Sequence, residues 1–94
     1  MSYDLRLDPR VIDYLKTLDA KPFRQIVRRI LELSRNPRPN DSEQLQGYRD
    51  PQVPGRKGYR LDQGECRVLY TIDDAKRRVV VFRTGHRQDV YKQS

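Results

Sequence analysis

The sequence has little of what builds metal centres and disulfides: its 94 residues include one cysteine, one histidine, one methionine and no tryptophan. Cys66 cannot form an internal disulfide, and one cysteine with one histidine cannot complete a zinc site. We therefore expect neither a metal nor another cofactor. No apolar run approaches the ~20 residues of a membrane span, and the first residues lack the basic and apolar regions of a signal peptide. These absences predict a cytosolic protein.

Acidic residues are also few beside basic ones. The chain has 20 Lys and Arg against 13 Asp and Glu, which gives a net charge of +7. Apolar and charged residues each make up 35% of the chain, so we expect a single domain over residues 1–94 with a small core. A basic balance of this kind favours a polyanionic partner: nucleic acid, the ribosome, an anionic membrane or an acidic protein.

The first third of the chain has the pattern of one strand followed by two helices. Tyr3, Leu5 and Leu7 alternate with charged residues, which is the period of a half-buried strand. Asp8 is placed to cap a helix that begins with a proline, and Asp19 can cap a second helix. Apolar residues recur at helical spacing in both. They are Val11, Ile12, Leu15 and Leu18 in the first helix, and Phe23, Ile26, Val27, Ile30 and Leu31 in the second.

The remainder has the pattern of a long loop and three strands. Two prolines within residues 36–40 end the second helix, and the polar segment from there to Lys57 predicts a long loop that is functional or mobile. Strands are predicted over residues 59–62, 66–72 and 79–83. The order β-α-α-β-β-β predicts an α+β fold, with a helix hairpin packed on one face of a four-stranded, largely antiparallel sheet whose other face is open.

Several residues suited to phosphate chemistry cluster near the end of the predicted sheet. They are Arg60, Arg67, His86, Arg87 and Tyr91. Clustered guanidinium groups can bind a phosphate and stabilise the extra charge that builds up on it during transfer. Arg67 alternates with Val68, so if the helices cover the Val68 side, Arg67 looks out from the open face. Arg60 and Asp62 share one face of their strand for the same reason.

Five short motifs, in this order and spacing, resemble those of the RelE family of bacterial and archaeal toxins. They are residues 36–39 (NPRP), 45–47 (LQG), 59–61 (YRL), 67–70 (RVLY) and 85–91 (GHRQDVY). The resemblance covers nearly the whole chain. It implies a ribosome-dependent endoribonuclease of a type II toxin–antitoxin system, which enters the ribosomal A site, cuts the mRNA codon and is blocked by a co-expressed antitoxin. The related ParE branch shares the fold but inhibits DNA gyrase, so a ParE-like, non-enzymatic inhibitor of gyrase remains the alternative.

The resemblance also implies roles for individual residues. Arg67 matches the arginine that contacts the scissile phosphate, and Arg87 matches a second catalytic arginine. Arg60 matches a position that is usually basic. Tyr91 matches a tyrosine that stacks on the base or orients the reacting 2′-hydroxyl. The chain departs from the family at Asp62, where the best-studied members have a lysine assigned as general base.

The proton transfers are therefore left open by the sequence. Attack by a 2′-hydroxyl needs a base to remove its proton and an acid to protonate the leaving 5′-oxygen. Asp62 or Glu65 can supply a carboxylate base, or they are only charges beside a hairpin turn; a chain that has lost its base would be an inactive RNA-binding relative. His86 normally titrates near neutral pH and can be the general acid, or its ring only holds the turn after Gly85.

A second concentration of basic residues follows the polar side of the second helix: Lys21, Arg24, Arg28, Arg29, Arg35 and Arg38. Such a surface predicts docking on ribosomal RNA, because Lys and Arg contacts to phosphate give salt-sensitive affinity without sequence choice. RNA-binding contacts are predicted for Arg28, Arg29, Lys57 and Arg83. The same surface would attract an acidic antitoxin, and we expect a heteromeric complex with it.

Overall fold

Residues 2–91 are described by the computed structural model of the chain, and they fold into five strands and two helices. In chain order these are β1 (Asp4–Leu7), α1 (Pro9–Leu15), α2 (Ala20–Glu32), β2 (Glu43–Gln44), β3 (Gly58–Gln63), β4 (Cys66–Asp73) and β5 (Arg78–His86). The strands form one sheet in the order β1-β5-β4-β3-β2. β1 is parallel to β5, and the other neighbours are antiparallel. The predicted α+β class is confirmed.

The sheet has one strand more than the four that were predicted. β2 lies inside the segment predicted as a loop, where Glu43 pairs with Arg60 and Gln44 with Tyr59. Both β2 residues are polar and exposed, and two residues are too few for an alternating pattern to appear in the sequence. The extra edge strand places a carboxylate beside Arg60.

The two helices begin where they were predicted, but α1 is shorter. Asp8 caps it by accepting a hydrogen bond of 2.8 Å from the backbone N–H two residues on. The helix ends at Leu15, and the amide and hydroxyl of Thr17 both donate to the carbonyl of Tyr14. Asp19 occupies the N-cap position of α2 without a side-chain capping bond. Neither helix within residues 2–91 is long and apolar enough to cross a membrane.

α2 presents two rows of apolar side chains, and the core takes only one of them. Ile26 and Ile30 are 1% and 2% exposed and belong to the core between the helices and the sheet. Phe23 and Leu31 were predicted for the same stripe, yet they are 39% and 57% exposed. In α1, Ile12 is likewise exposed. A helix that packs on one sheet buries one face, so a wide apolar stripe leaves its second row in solvent.

The face of the sheet away from the helices is partly covered, rather than open throughout as predicted. The loop after β2 folds back over it, and the ring of Tyr48 stacks on that of Phe82 with 5.2 Å between centroids. A Cβ at Gly58 would come within 2.8 Å of the Tyr48 ring, so the absence of a side chain there lets the ring lie down on the sheet. Leu69 and Thr71 are buried beneath this cover.

A β-bulge between β4 and β5 decides which side chains of β5 reach that face. Leu69 pairs with Arg83 and Tyr70 with Val81, so Phe82 is the extra residue. A bulge re-aims the side chains that follow it. Simple alternation from the buried Val81 would turn Arg83 into the core, whereas the bulge turns it to the same side as Leu69.

Candidate active site

The β3–β4 hairpin brings an aspartate between two arginines. Asp62 lies directly across from Arg67. Arg67 donates from Nε to Asp62 Oδ1 at 2.7 Å and from Nη2 to Oδ2 at 3.2 Å, which is a bidentate pair with geometry fixed at both ends. Arg60 Nη1 is 3.6 Å from Asp62 Oδ2, and Arg60 Nη2 donates to Glu43 at 2.7 Å. Arg67 and Arg60 are therefore held in place by carboxylates.

Tyr91 lies over the exposed side of Arg67. Arg67 Nη1 donates to the tyrosine hydroxyl at 3.5 Å, and the guanidinium carbon is 5.6 Å from the ring centre. The turn after β5 positions the ring, because Val90 is buried and its N–H bonds to the carbonyl of His86 at 2.9 Å. Tyr91 itself is 54% exposed, so one side of its ring is free to stack on a base.

Arg87 completes the group from the other side of the β3–β4 turn. Its backbone N–H donates to the carbonyl of Glu65 at 2.8 Å, and its guanidinium is 3.6 Å from the carboxylate of the same residue. Arg60, Asp62, Arg67, Arg87 and Tyr91 are called the arginine site from here on. The structure thus brings together four of the five residues proposed as catalytic.

The charges of the arginine site set the protonation of its aspartate. The hydrogen bond from Arg67 is the main cause that lowers the pKa of Asp62, and the charges of Arg60 and Arg87 lower it further. The same pair raises the pKa of Arg67. Asp62 is therefore an anion at neutral pH, lying where the arginines would meet a phosphate. A carboxylate whose pKa is lowered is a weak base.

His86, the fifth residue proposed as catalytic, lies apart from this group. It pairs with Cys66 across the β4–β5 ladder, and successive residues of a strand point to opposite faces, so His86 is on the helix side while Arg67 is on the other. Its Nδ1 accepts a hydrogen bond of 3.1 Å from the Gln88 N–H, and its Nε2 is 3.4 Å from Glu65. These contacts fit the role of holding the turn.

The basic residues predicted for the second helix divide into two groups, and two of them, Arg35 and Arg38, lie beyond the end of α2 at Glu32. Arg29 donates to Asp41 at 2.6 Å and to Glu32 at 3.4 Å, which fastens the chain after α2 to the helix. Arg38 makes a similar pair with Asp74. By contrast, no ion pair within residues 2–91 involves Lys21, Arg24, Arg28 or Arg35.

These free arginines border the exposed apolar row of α2. Phe23, Val27 and Leu31 line an open groove of about 570 Å³ together with Arg24, Arg28 and Arg35. We call this the α2 surface. The other two residues predicted to bind RNA lie elsewhere: Lys57 is exposed just before β3, and Arg83 is half-buried on the sheet face that carries the arginine site.

Three residues near the site were not singled out from the sequence. Glu43 holds Arg60 through a strand too short to recognise, and Tyr48 covers the sheet from a segment that has no regular pattern. Arg10 borders the same cavities as Arg83, which only the tertiary fold brings about. No group of three or more His, Cys, Asp or Glu residues that could hold a metal ion occurs in the described chain.

Comparison with known proteins gives one family match and several similar folds. The family described as the ParE toxin of type II toxin–antitoxin system, parDE, matches residues 5–91. The RelE–RelB complex of Pyrococcus horikoshii OT3 contains a chain with a TM-score of 0.77 and 22% identity, covering 93% of this chain and 97% of that one. The RelBE2 toxin–antitoxin complex of Mycobacterium tuberculosis gives 0.70 and 25%, covering 92% and 99%.

The intact RelBE complex of E. coli gives a TM-score of 0.70 at 23% identity, covering 89% of this chain and 95% of that one. No curated protein sequence matches the chain. The RelE-like fold expected from the sequence motifs is therefore confirmed.

Proposed function

The chain belongs to the ParE toxin family of type II toxin–antitoxin systems, and from its RelE-like fold and the residues of the arginine site we propose that it is a ribosome-dependent endoribonuclease that cuts mRNA in the ribosomal A site. The single observation that carries this proposal is the arrangement of Arg67. Its guanidinium is fixed by Asp62 on one side and lies under the exposed ring of Tyr91 on the other. A fixed cation beside a free aromatic face suits one nucleotide with its phosphate.

In the proposed reaction the 2′-oxygen loses its proton, attacks the adjacent phosphorus and displaces the 5′-oxygen, which takes up a proton. The products are a 2′,3′-cyclic phosphate and a 5′-hydroxyl. Arg67 and Arg87 would stabilise the charge that builds up on the phosphoryl oxygens, with Arg60 assisting from the next strand. Tyr91 would stack on the base and so hold the 2′-hydroxyl in line with the leaving oxygen.

Proton transfer is the step for which the arginine site is least equipped, and this favours dependence on the ribosome. Asp62 is a poor base because the arginines lower its pKa, and Glu65 contacts both His86 and Arg87. Since His86 faces the helices, Arg87 is the better placed donor toward the leaving oxygen. A site with strong charge stabilisation and weak proton transfer gains most from RNA that is already held in the reactive geometry.

The α2 surface is proposed to serve the partners. Its free arginines would contact ribosomal RNA phosphates, as predicted for Arg28, and Lys57 and Arg83 would contact RNA on the sheet side. Arg29 is already bound to Asp41, so we expect it to contribute less to RNA binding. An acidic amphipathic helix of the cognate antitoxin would cover the exposed row of Phe23, Val27 and Leu31. Its apolar stripe would pack on this row, and its acidic side chains would pair with the free arginines beside it. The toxin and antitoxin would then form a heteromeric complex.

The test is primer extension on a defined mRNA in a translating system that contains the purified protein. We expect cuts inside the A-site codon that need ribosomes and that disappear with Arg67→Ala. The matched control is Arg6→Ala, because Arg6 also pairs with an aspartate, Asp4, at 2.9 Å but lies on the edge strand β1. Equal cleavage by the Arg67 and Arg6 variants would reject the assigned role of Arg67.

The second candidate function is inhibition of DNA gyrase without catalysis. It is favoured by the same bidentate pair, because Asp62 already accepts the hydrogen bonds that Arg67 would donate to a scissile phosphate. Asp62 is also a poor base. A gyrase supercoiling assay decides between the two candidates. Inhibition of supercoiling without any mRNA cleavage would mean that the arginine site is a contact surface for gyrase and is not catalytic.

A further inference from the structure

A second cavity adjoins the arginine site on the same face of the sheet. It measures about 310 Å³ and is bordered by apolar and aromatic residues from the loop after β2, the sheet and the C-terminal turn. These are Leu45, Tyr48, Leu69, Phe82, Val90 and Tyr91. Tyr91 borders both sites, because one side of its ring faces Arg67 and the residue also lines the cavity.

Part of the cavity lining is apolar and well packed. Leu69 and Val90 are each 4% exposed, and Phe82 is backed by the stacked ring of Tyr48, with 28° between the ring planes. A cavity bordered by aromatic side chains suits an unstacked base.

Two arginines, Arg10 and Arg83, also border this cavity. Arg10 is held by Asp8, with Nε to Oδ1 at 3.1 Å, whereas Arg83 has no ion pair within residues 2–91. Burial and the charge of Arg10 lower the pKa of Arg83, and the charge of Asp8 opposes them. Asp8 is already paired with Arg10, so a bound anion would be the direct partner of the half-buried Arg83, and a guanidinium suits phosphate.

We propose that this cavity binds a second base, that of the nucleotide on the other side of the scissile phosphate from the base stacked on Tyr91. The other phosphate of that second nucleotide would lie on Arg83 and Arg10. The inference rests on the proposed function, since Tyr91 joins the cavity to the arginine site. It adds a second nucleotide subsite, which would fix the register of the RNA strand across the sheet. Aromatic walls with arginines at one side favour RNA over an acidic peptide, whose aliphatic side chains gain nothing from stacking.

The test measures binding of a short, labelled RNA with 2′-O-methyl riboses, which cannot be cleaved by 2′-attack, to the free protein at low salt. Fluorescence anisotropy compares the wild type with Arg83→Gln and with Lys76→Gln, a control that removes one exposed charge from the β4–β5 turn. We expect Arg83→Gln to weaken binding about tenfold more than the control. An RNA that lacks the base at the position next to the cut should bind the wild type about tenfold more weakly than the intact RNA.

Phe82→Leu supplies an independent check on where the base lies. It should weaken binding of the intact RNA but leave binding of the base-lacking RNA unchanged. Should this variant fail to fold, the comparison of the two RNAs on the wild type still decides. Equal binding of both RNAs overturns the proposal, and so do equal effects of Arg83→Gln and Lys76→Gln. Preferential binding of an acidic peptide over the RNA would overturn it as well.

Failure of this subsite and failure of the proposed function are distinguishable. The binding assay needs neither ribosomes nor cleavage, whereas the primer-extension assay measures cleavage alone. If cleavage occurs in the A site but both RNAs bind equally, the subsite is wrong and the function stands. If the subsite binds the base but no cleavage occurs with ribosomes, the proposed chemistry is wrong.

Discussion

The arginine site and the α2 surface are both basic, but their guanidinium groups are held in different ways. At the arginine site, Arg67, Arg60 and Arg87 each contact a carboxylate, with distances from 2.7 to 3.6 Å. On the α2 surface, Arg24 and Arg28 have no such partner within residues 2–91, and exposed apolar side chains lie between them. The same residue type is thus fixed in one place and free in the other.

This difference teaches what each surface is suited for. A carboxylate that fixes an arginine removes side-chain freedom before a ligand arrives, so the geometry is ready for chemistry on one phosphate. A free arginine keeps its reach and can follow an uneven partner, which suits docking. Both surfaces are positively charged, so their charge does not distinguish them. The ion pairs that hold the arginines of one surface do.

The largest expected effect comes from replacing arginine with lysine at both surfaces. Arg67→Lys keeps the charge but loses the fork that meets Asp62 and a phosphate together, so cleavage should fall about 10²-fold. Arg28→Lys should leave cleavage nearly unchanged, because a docking contact needs only the charge. Both rates are measured by A-site cleavage of a defined mRNA. Equal losses at the two positions would remove the distinction between fixed and free arginines.

The next effect concerns the apolar row of the α2 surface. Phe23→Glu should weaken binding of the cognate antitoxin roughly tenfold or more, because a charge would be buried against the partner. Val53→Glu is the matched control, since Val53 and Phe23 are each 39% exposed. Isothermal titration with the antitoxin gives both affinities, and thermal unfolding of each free variant shows whether a weaker complex comes from loss of the fold. An unchanged affinity in Phe23→Glu would mean that the antitoxin binds elsewhere.

A smaller effect separates two adjacent arginines of α2. Arg28→Gln should lower the salt dependence of ribosome binding by about one charge, as a lost phosphate contact does. Arg29→Gln should change it less, because Asp41 already neutralises Arg29 at 2.6 Å. Sedimentation of the protein with ribosomes at several salt concentrations measures both slopes. The opposite ranking would mean that Arg29 leaves Asp41 on binding.

Much of the fold and part of the site follow from local rules in the sequence. The period-two pattern of β4 gave the outward direction of Arg67, and its alternation with the buried Val68 is what the structure has. The helix starts followed from Asp8 and its proline. These features depend on residues near one another in the chain, where backbone geometry and alternation are sufficient.

The remaining features depend on contacts between distant segments. The predicted last strand ended at Arg83, but β5 continues to His86, and only that continuation puts His86 on the helix side. The bulge at Phe82 places Arg83 on the opposite face from the one that simple alternation from Val81 gives, and a bulge leaves no periodic signal in nine residues. The apolar spacing of α2 could not tell which row the sheet would cover.

The smallest expected effect tests the carboxylate that holds the arginine site together. The arginines lower the pKa of Asp62 from its ordinary value of 3.8, so its stabilising contribution is present above about pH 4 and is lost as the pH falls through the lowered value. Because the Asp62 side chain is 39% exposed, solvent screens the pair and the contribution should be well under 1 kcal/mol. Asp62→Asn should therefore flatten the acid limb of the unfolding free energy slightly. Asp13→Asn, an exposed change on α1, should not. If the two variants have the same acid limb, Asp62 does not hold the arginines, and the contrast between the two basic surfaces must have another cause.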